Sequence, residues 1–149
     1  MFLWRISNHL SLAGDGALRA PGRWHTRGRR VVYCAQSPAA ALLDILVHFE
    51  IDSQDLPVGY RLLKIEVPDD VQVESVSVNR LLTDWPERTE VTRALGDGWL
   101  TKGSAGLLSV PSAIVPETFN VLLNPAHQDA KRIVIVQAGE YAIDPRLLK

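Results

Sequence analysis

The order of apolar and polar residues divides the chain into short strands, two helices and long connecting loops. Leu3–Ile6 reads as a short strand, and Val31–Ala35 as a fully apolar one. Between them, residues 8–29 are rich in Gly, Arg and Ser and read as one long loop. A structureless stretch of that length inside a compact domain is usually functional or disordered. Ser37-Pro38 then opens a helix, with a hydroxyl at the N-cap and proline at the first helical position, running to about Phe49. On a helical wheel Leu42, Ile45, Leu46 and Phe49 share one side, and Leu43 and Val47 widen it. The narrow wedge left over holds Ser37, Ala41, Asp44 and His48. A helix apolar over most of its girth is expected to be largely buried, so Asp44 projects from a buried element beside the small Ala41. A carboxylate there is paired or functional, because a lone buried charge is costly.

Further on, Tyr60–Val67 alternates Leu63, Ile65 and Val67 against Lys64 and Glu66, the pattern of a half-buried strand. Pro68-Asp69-Asp70 makes a turn. Val71–Val78 resumes the alternation, with a phase change near Ser75 that suggests a bulge or strand end. Asp84 and Pro86 open a second helix through Leu95, stopped by Gly96, and residues 96–106 read as loop. Ala113–Val115 and Phe119–Leu123 are strand-like and separated by Pro116. Arg132–Gln137 reads as a buried strand, with Tyr141–Ile143 pairing last. Strands and helices mix without βαβ regularity, so the expectation is a single α+β domain over residues 1–149.

Composition narrows the class. The chain has 149 residues, 46% hydrophobic and 22% charged, as in ordinary globular domains. No stretch approaches the ~18 apolar residues of a membrane span. The N-terminus has no basic start, apolar core or small-residue cleavage site, so no signal peptide is expected. The single cysteine, Cys34, rules out an internal disulfide, which fits a cytoplasmic protein, and its apolar surroundings make it a buried side chain rather than a nucleophile.

Charge changes the picture more. Residues 1–35 carry Arg5, Arg19, Arg23, Arg27, Arg29 and Arg30 against Asp15 alone, a net +5, and the remainder carries −6. A protein of overall charge −1 is poorly suited to wrapping nucleic acid, whereas a local positive field suits a small anionic ligand. Arg27, Arg29 and Arg30 sit at a turn and read equally well as a solvated basic loop.

The chain lacks the glycine-rich phosphate loops of dinucleotide-binding and P-loop folds and has no nucleophile elbow. His9, His25, His48 and His127 are scattered, so no metal site is expected. Four side chains remain as candidates. Arg23 offers a donor fork that matches a phosphate, or forms a surface ion pair. Tyr33 offers a flat face for stacking, or is a core tyrosine at a strand end. Asp44 offers a charge that can stabilise a sugar cation, or pairs with His48 one turn away. Ser112, between Pro111 and Pro116, bonds a ligand or caps a turn.

Together these residues bring out a resemblance. The motifs Leu3-Trp4-Arg5-Ile6, Gly22-Arg23-Trp24, Val32-Tyr33 and Ser37-Pro38…Leu43-Asp44…Val47-His48 resemble the RES-domain toxins of bacterial Xre–RES toxin–antitoxin modules. Trp99-Leu100, Val110-Pro111-Ser112, Val115-Pro116, Asn120…Leu123-Asn124-Pro125…His127 and Asp144-Pro145-Arg146-Leu147 extend it over nearly the whole chain. The resemblance implies a fold similar to ADP-ribosyltransferases, with mixed sheets and flanking helices. It also implies NAD+ as substrate, with no separate cofactor, and loss of nicotinamide by hydrolysis or by transfer of ADP-ribose to phosphate. Transfer of ADP-ribose to a protein target is the alternative activity. In that picture Arg23 holds the NAD+ phosphates, Tyr33 stacks on the nicotinamide side and Ser112 fixes the ligand by hydrogen bonding. Asn120 joins them in binding, and the acid at position 44 stabilises the oxocarbenium-like ribose. The implied partner is an Xre-family antitoxin that covers the active site and carries the DNA-binding part, so this chain touches no nucleic acid directly; a homodimer is compatible. One position departs from the pattern: the family's glutamate is Asp44 here, one methylene shorter. Catalytic groups need placement within about 0.5 Å, so the departure implies slow turnover or an NAD-binding form with little activity.

Overall fold

The strands fall largely where the alternation puts them, and so does the helix opened by Ser37-Pro38; the second long helix does not. The computed structural model describes residues 1–48 and 59–148. In chain order they form β1 (Phe2–Ser7), α1 (Gly16–Arg19), β2 (Val32–Ala35), α2 (Pro38–His48), β3 (Arg61–Glu66) and β4 (Val73–Ser75). Then come α3 (Thr89–Lys102), β5 (Leu107–Pro111), β6 (Phe119–Leu123) and β7 (Val134–Glu140). Among the described residues the strands make one mixed sheet in the order β4-β5-β6-β2-β1-β3-β7. Only β4 and β5 run parallel; the other neighbours are antiparallel. This is the α+β class that the sequence predicts.

The middle of the sheet is its weakest seam. β1 pairs with β3 along six register positions, and β2 with β6 along four. Between β1 and β2, the described register reduces to Trp4 opposite Ala35. Beyond that pair the strands part, and the Arg5 guanidinium bridges them by donating to the Tyr33 carbonyl (2.7 Å). The two halves of the sheet are therefore joined in register at this one described pair. One cluster built on Leu3, Val32, Cys34, Leu63, Ile65 and Leu123 packs one side of this junction. A second, with Trp24, Trp85, Trp99 and Leu122, lies under α3, and a third, with Ile6, Ala35 and Ala41, lies under α2.

Helix α2 starts as expected, with the Ala40 N–H donating to Ser37 Oγ (3.1 Å). It is not largely buried, however. Only Ala41 is buried among its described side chains, Leu42 to Leu46 are half-buried, and Val47 is 58% exposed. The cause is that α2 covers the sheet on one side only, through Ala40, Ala41, Leu42 and Ile45. Phe49 and the side chain of His48 lie outside the described residues, and the proposed Asp44–His48 pair lies there with them.

Helix α3 corrects the sequence reading most sharply. Asp84 and Pro86 belong to a single 3-10 turn (Trp85–Glu87), and the helix proper begins at Thr89. It passes through Gly96 and Gly98 and ends only at Gly103, whose φ of 63° is the left-handed C-terminal conformation. Gly96 is there for closeness: a Cβ on it would sit 1.6 Å from the Trp24 carbonyl oxygen. Other expectations also shift. Residues 113–115 form a turn rather than a strand, because Ser112 Oγ accepts the Ile114 and Val115 N–H groups. The alternation at Val71–Val78 yields only β4, which ends at Ser75 where the phase changes. The last strand is β7, an edge strand without a buried residue, and Tyr141–Ile143 adds none.

Substituting Gly96→Ala must push α3 and the Trp24 segment apart. We expect a loss of about 2 kcal/mol or more, seen as a melting temperature roughly 5 °C or more lower by calorimetry.

Candidate functional site

A cavity of about 650 Å³ opens at the seam, within the range of small-molecule sites. Residues of both parted strands line it, from Trp4 to Ser7 and from Val32 to Ala35. The loop between them, helix α2 and the turn after β5 supply the remaining walls. All five residues singled out from the sequence, Arg23, Tyr33, Asp44, Ser112 and Asn120, line this one cavity. Arg27, Arg29 and Arg30 do not. Arg29 donates to the Asp97 carbonyl (3.0 Å) and Thr101 Oγ1 (2.7 Å), and Arg30 pairs with Asp15.

Arg23 sits on a tight turn in which the Gly22 N–H donates to the His25 carbonyl (3.2 Å). Helix α3 holds that turn: the Thr92 hydroxyl donates to the Arg23 carbonyl, and Arg93 Nε to the Gly22 carbonyl (2.8 Å). The Asp97 carboxylate accepts from the Thr26 N–H (3.1 Å) and hydroxyl (2.7 Å). The Arg23 side chain makes no ion pair among the described residues; Nη1 donates to the Pro86 carbonyl (2.6 Å). A guanidinium carries five N–H donors, so this bond fixes its direction and leaves most of them for an anion.

Tyr33 is both core and site. Its ring packs against the cluster under α3 and lines the cavity. Its oxygen accepts from the Trp24 N–H (3.1 Å) and lies 2.7 Å from His25 Nδ1. Burial pushes the phenol up to about 12, so it stays protonated. With both capacities of the hydroxyl engaged, what Tyr33 offers a ligand is its ring face. Asp44 is half-exposed on α2, sharing a helical face with the buried Ala41. Ser112 is 3% exposed and caps the turn, which consumes its lone pairs and leaves its proton to donate. Asn120, across from Ala35 and Val110, has a buried Oδ1 with no hydrogen-bond partner among the described residues. Cys34 is buried as expected, and desolvation lifts its thiol to about 11.

The sequence reading passed over two cavity cations as site residues, Arg5 and Arg19. Arg5 had a visible signal, a charge in the middle of an apolar strand. Arg19 had none: it reaches the wall because four residues of the long loop form α1. No group of acidic, histidine and cysteine side chains suited to a metal occurs among the described residues. No described helix is long and apolar enough to cross a membrane.

Comparison with known proteins settles the family. The family model for the RES domain matches residues 2–144. The chain belongs to the RES-domain family of toxin–antitoxin toxins. It is 48% identical over 147 residues to the Toxin Res of Pseudomonas putida, covering 99% of both chains. It is 37% identical over 156 residues to a Sphingobium protein named Prs ADP-ribosylating toxin, covering 98% of this chain and 96% of that one. Among solved structures, the fold is similar to a chain of the M. tuberculosis MbcT–MbcA toxin–antitoxin complex, with a TM-score of 0.77. That match covers 99% of this RES domain and 86% of the other chain at 18% identity.

One electrostatic consequence can be measured directly. Burial lowers the pKa of His25 below its ordinary 6.5, with Arg93 adding to the effect and the Ala20 carbonyl and Asp97 opposing it. The folded RES domain thus binds fewer protons there than the unfolded chain. This contribution is complete above pH ~6.5 and is lost progressively as pH falls below it. Urea midpoints should be flat from about pH 7 to 8 and decline toward pH 5, and His25→Asn should flatten that decline.

Proposed function

We propose that the cavity binds NAD+ and that the RES domain cleaves its nicotinamide–ribose bond. The observation that carries this reading is convergence: Arg23, Tyr33, Asp44, Ser112 and Asn120, spread over about a hundred residues of sequence, line one cavity. The Arg23 fork takes the pyrophosphate, with Arg5 and Arg19, which line the same cavity, adding positive field. The Tyr33 face stacks on the nicotinamide side. The Ser112 hydroxyl donates to the ligand. The unsatisfied Asn120 Oδ1 accepts from an N–H, as the nicotinamide carboxamide supplies, since an orphaned buried acceptor costs about 1–3 kcal/mol.

The electron pair of the glycosidic bond leaves with the nicotinamide nitrogen, and positive charge develops on the ribose. The Asp44 carboxylate stabilises that charge. Water then adds at the anomeric carbon, giving ADP-ribose and a proton; inorganic phosphate in its place gives ADP-ribose phosphate. A second reading, transfer of ADP-ribose to a protein, is favoured by the name of the Sphingobium relative. Radiolabelled NAD+ in lysate separates the two, because only protein transfer leaves label on protein.

The partner in this reading is a cognate Xre-family antitoxin seated over the cavity. Val47 and Ile114 line the cavity yet are 58% and 39% exposed, an apolar rim that such a partner would cover.

Incubating the purified chain with NAD+ and following free nicotinamide tests the activity. Asp44→Asn should lower kcat by about 100-fold or more, while Asp44→Glu should raise it by restoring the missing methylene. Equal rates for the wild type and Asp44→Asn would refute the catalytic assignment. Arg23→Lys should raise KM about tenfold, because an ammonium lacks the bidentate fork.

A further inference from the structure

His25 lines the cavity with both ring nitrogens bonded and has no role in the reading above. It is 3% exposed. Its Nε2 lies 3.0 Å from the Ala20 carbonyl oxygen, an acceptor that demands a proton. Its Nδ1 lies 3.1 Å from the Gly22 nitrogen, whose N–H is shared with the His25 carbonyl (3.2 Å) and meets a lone pair on Nδ1. These two neighbours determine the tautomer: neutral imidazole with its hydrogen on Nε2. The reverse tautomer would set a bare nitrogen against a carbonyl and an N–H against an N–H. With Nδ1 an acceptor, the Tyr33 hydroxyl, 2.7 Å away, must donate to it. The phenol oxygen is thereby turned to accept the Trp24 N–H (3.1 Å).

The bonds close a circuit around Arg23. The residue before it is held by His25 Nδ1, and the residue after it by the Tyr33 oxygen. Space confirms how tight the circuit is: a Cβ on Gly22 would lie 2.4 Å from the Tyr33 oxygen and 2.8 Å from His25 Nδ1. We propose that His25, in its neutral Nε2–H tautomer, is a positioning residue that locks the Tyr33 ring and the Arg23 turn into one unit. This inference rests on the NAD+ reading for its effect on turnover. A second proton, on Nδ1, would break the bond from the Gly22 N–H and reverse the one with the Tyr33 hydroxyl. The charged and titratable groups acting on the ring are Arg93 and Asp97 from α3 and Tyr33 from β2, and Arg23 acts in turn on Tyr33.

Two variants separate this role from simple space-filling. Asparagine places an amide oxygen near the Nδ1 position and keeps the acceptor; glutamine reaches instead toward Ala20 and loses it. We expect His25→Gln to lower kcat/KM for nicotinamide release about tenfold or more, and His25→Asn to stay within about threefold of wild type. In a Tyr33→Phe background, His25→Gln should cost clearly less than it does in the wild type, because one of the two bonds at Nδ1 is already gone and only the Gly22 bond remains to be lost. Two-bond nitrogen–proton NMR correlations on the full chain should show His25 protonated at Nε2 alone near pH 7.5. A wild type that releases no nicotinamide sinks the NAD+ reading, and the tautomer then decides the positioning role by itself. An active wild type matched by His25→Gln, additive costs in the double variant, or a hydrogen on Nδ1 would each overturn the proposal.

Discussion

Everything about this site depends on the parting of β1 and β2. Backbone hydrogen bonds hold a sheet together only where strands run side by side, and here the described register thins to Trp4 opposite Ala35. Beyond that pair each strand has polar groups to satisfy and a flank to cover. Arg5 satisfies one of them, spanning the gap to the Tyr33 carbonyl. The rest of the opening becomes a cavity with strand residues on both sides. A continuous seven-stranded sheet from the same residues would have no such opening.

The second constraint is the contact between the arginine turn and α3. A loop of more than twenty residues has large conformational entropy, and a side chain on it aims at nothing unless the loop is held. Helix α3 holds it through Thr92, Arg93 and Asp97, with Gly96 allowing the backbones to touch. The turn itself is closed by His25 and Tyr33. The loop therefore has the length of a flexible segment and the bonding of a rigid one.

How much of this was legible in the sequence varies by element. The strands with clear alternation were, because period 2 with one apolar face admits few other structures. The Ser37-Pro38 helix start was, because cap chemistry is local. Gly96 was misread for the same reason: taken locally, a glycine after an apolar run is a stop signal, and nothing nearby in the chain announces that Trp24, 72 positions earlier, needs the space. Burial of α2 was overestimated because periodicity shows which residues are apolar, not how many sides a helix has covered. The site residues were legible only through their resemblance to a family. Singly, Arg23, Tyr33, Asp44 and Ser112 each had an ordinary structural explanation, and for Tyr33 and Ser112 that explanation also holds, since one is packed in a core cluster and the other caps a turn.

The order of pieces around the cavity has a consequence for how the protein is made. Its walls come from β1, the arginine loop, β2 and α2, all within the first third of the chain, but also from Ser112 and Asn120. The Arg23 turn itself waits for α3 to dock against it. Strand β6, which carries Asn120, is the neighbour that β2 needs on its free edge. A growing chain on the ribosome therefore has no complete cavity until synthesis has passed residue 120 and that strand has emerged. The cavity is therefore assembled by long-range contacts, and not by the segment that supplies most of its walls.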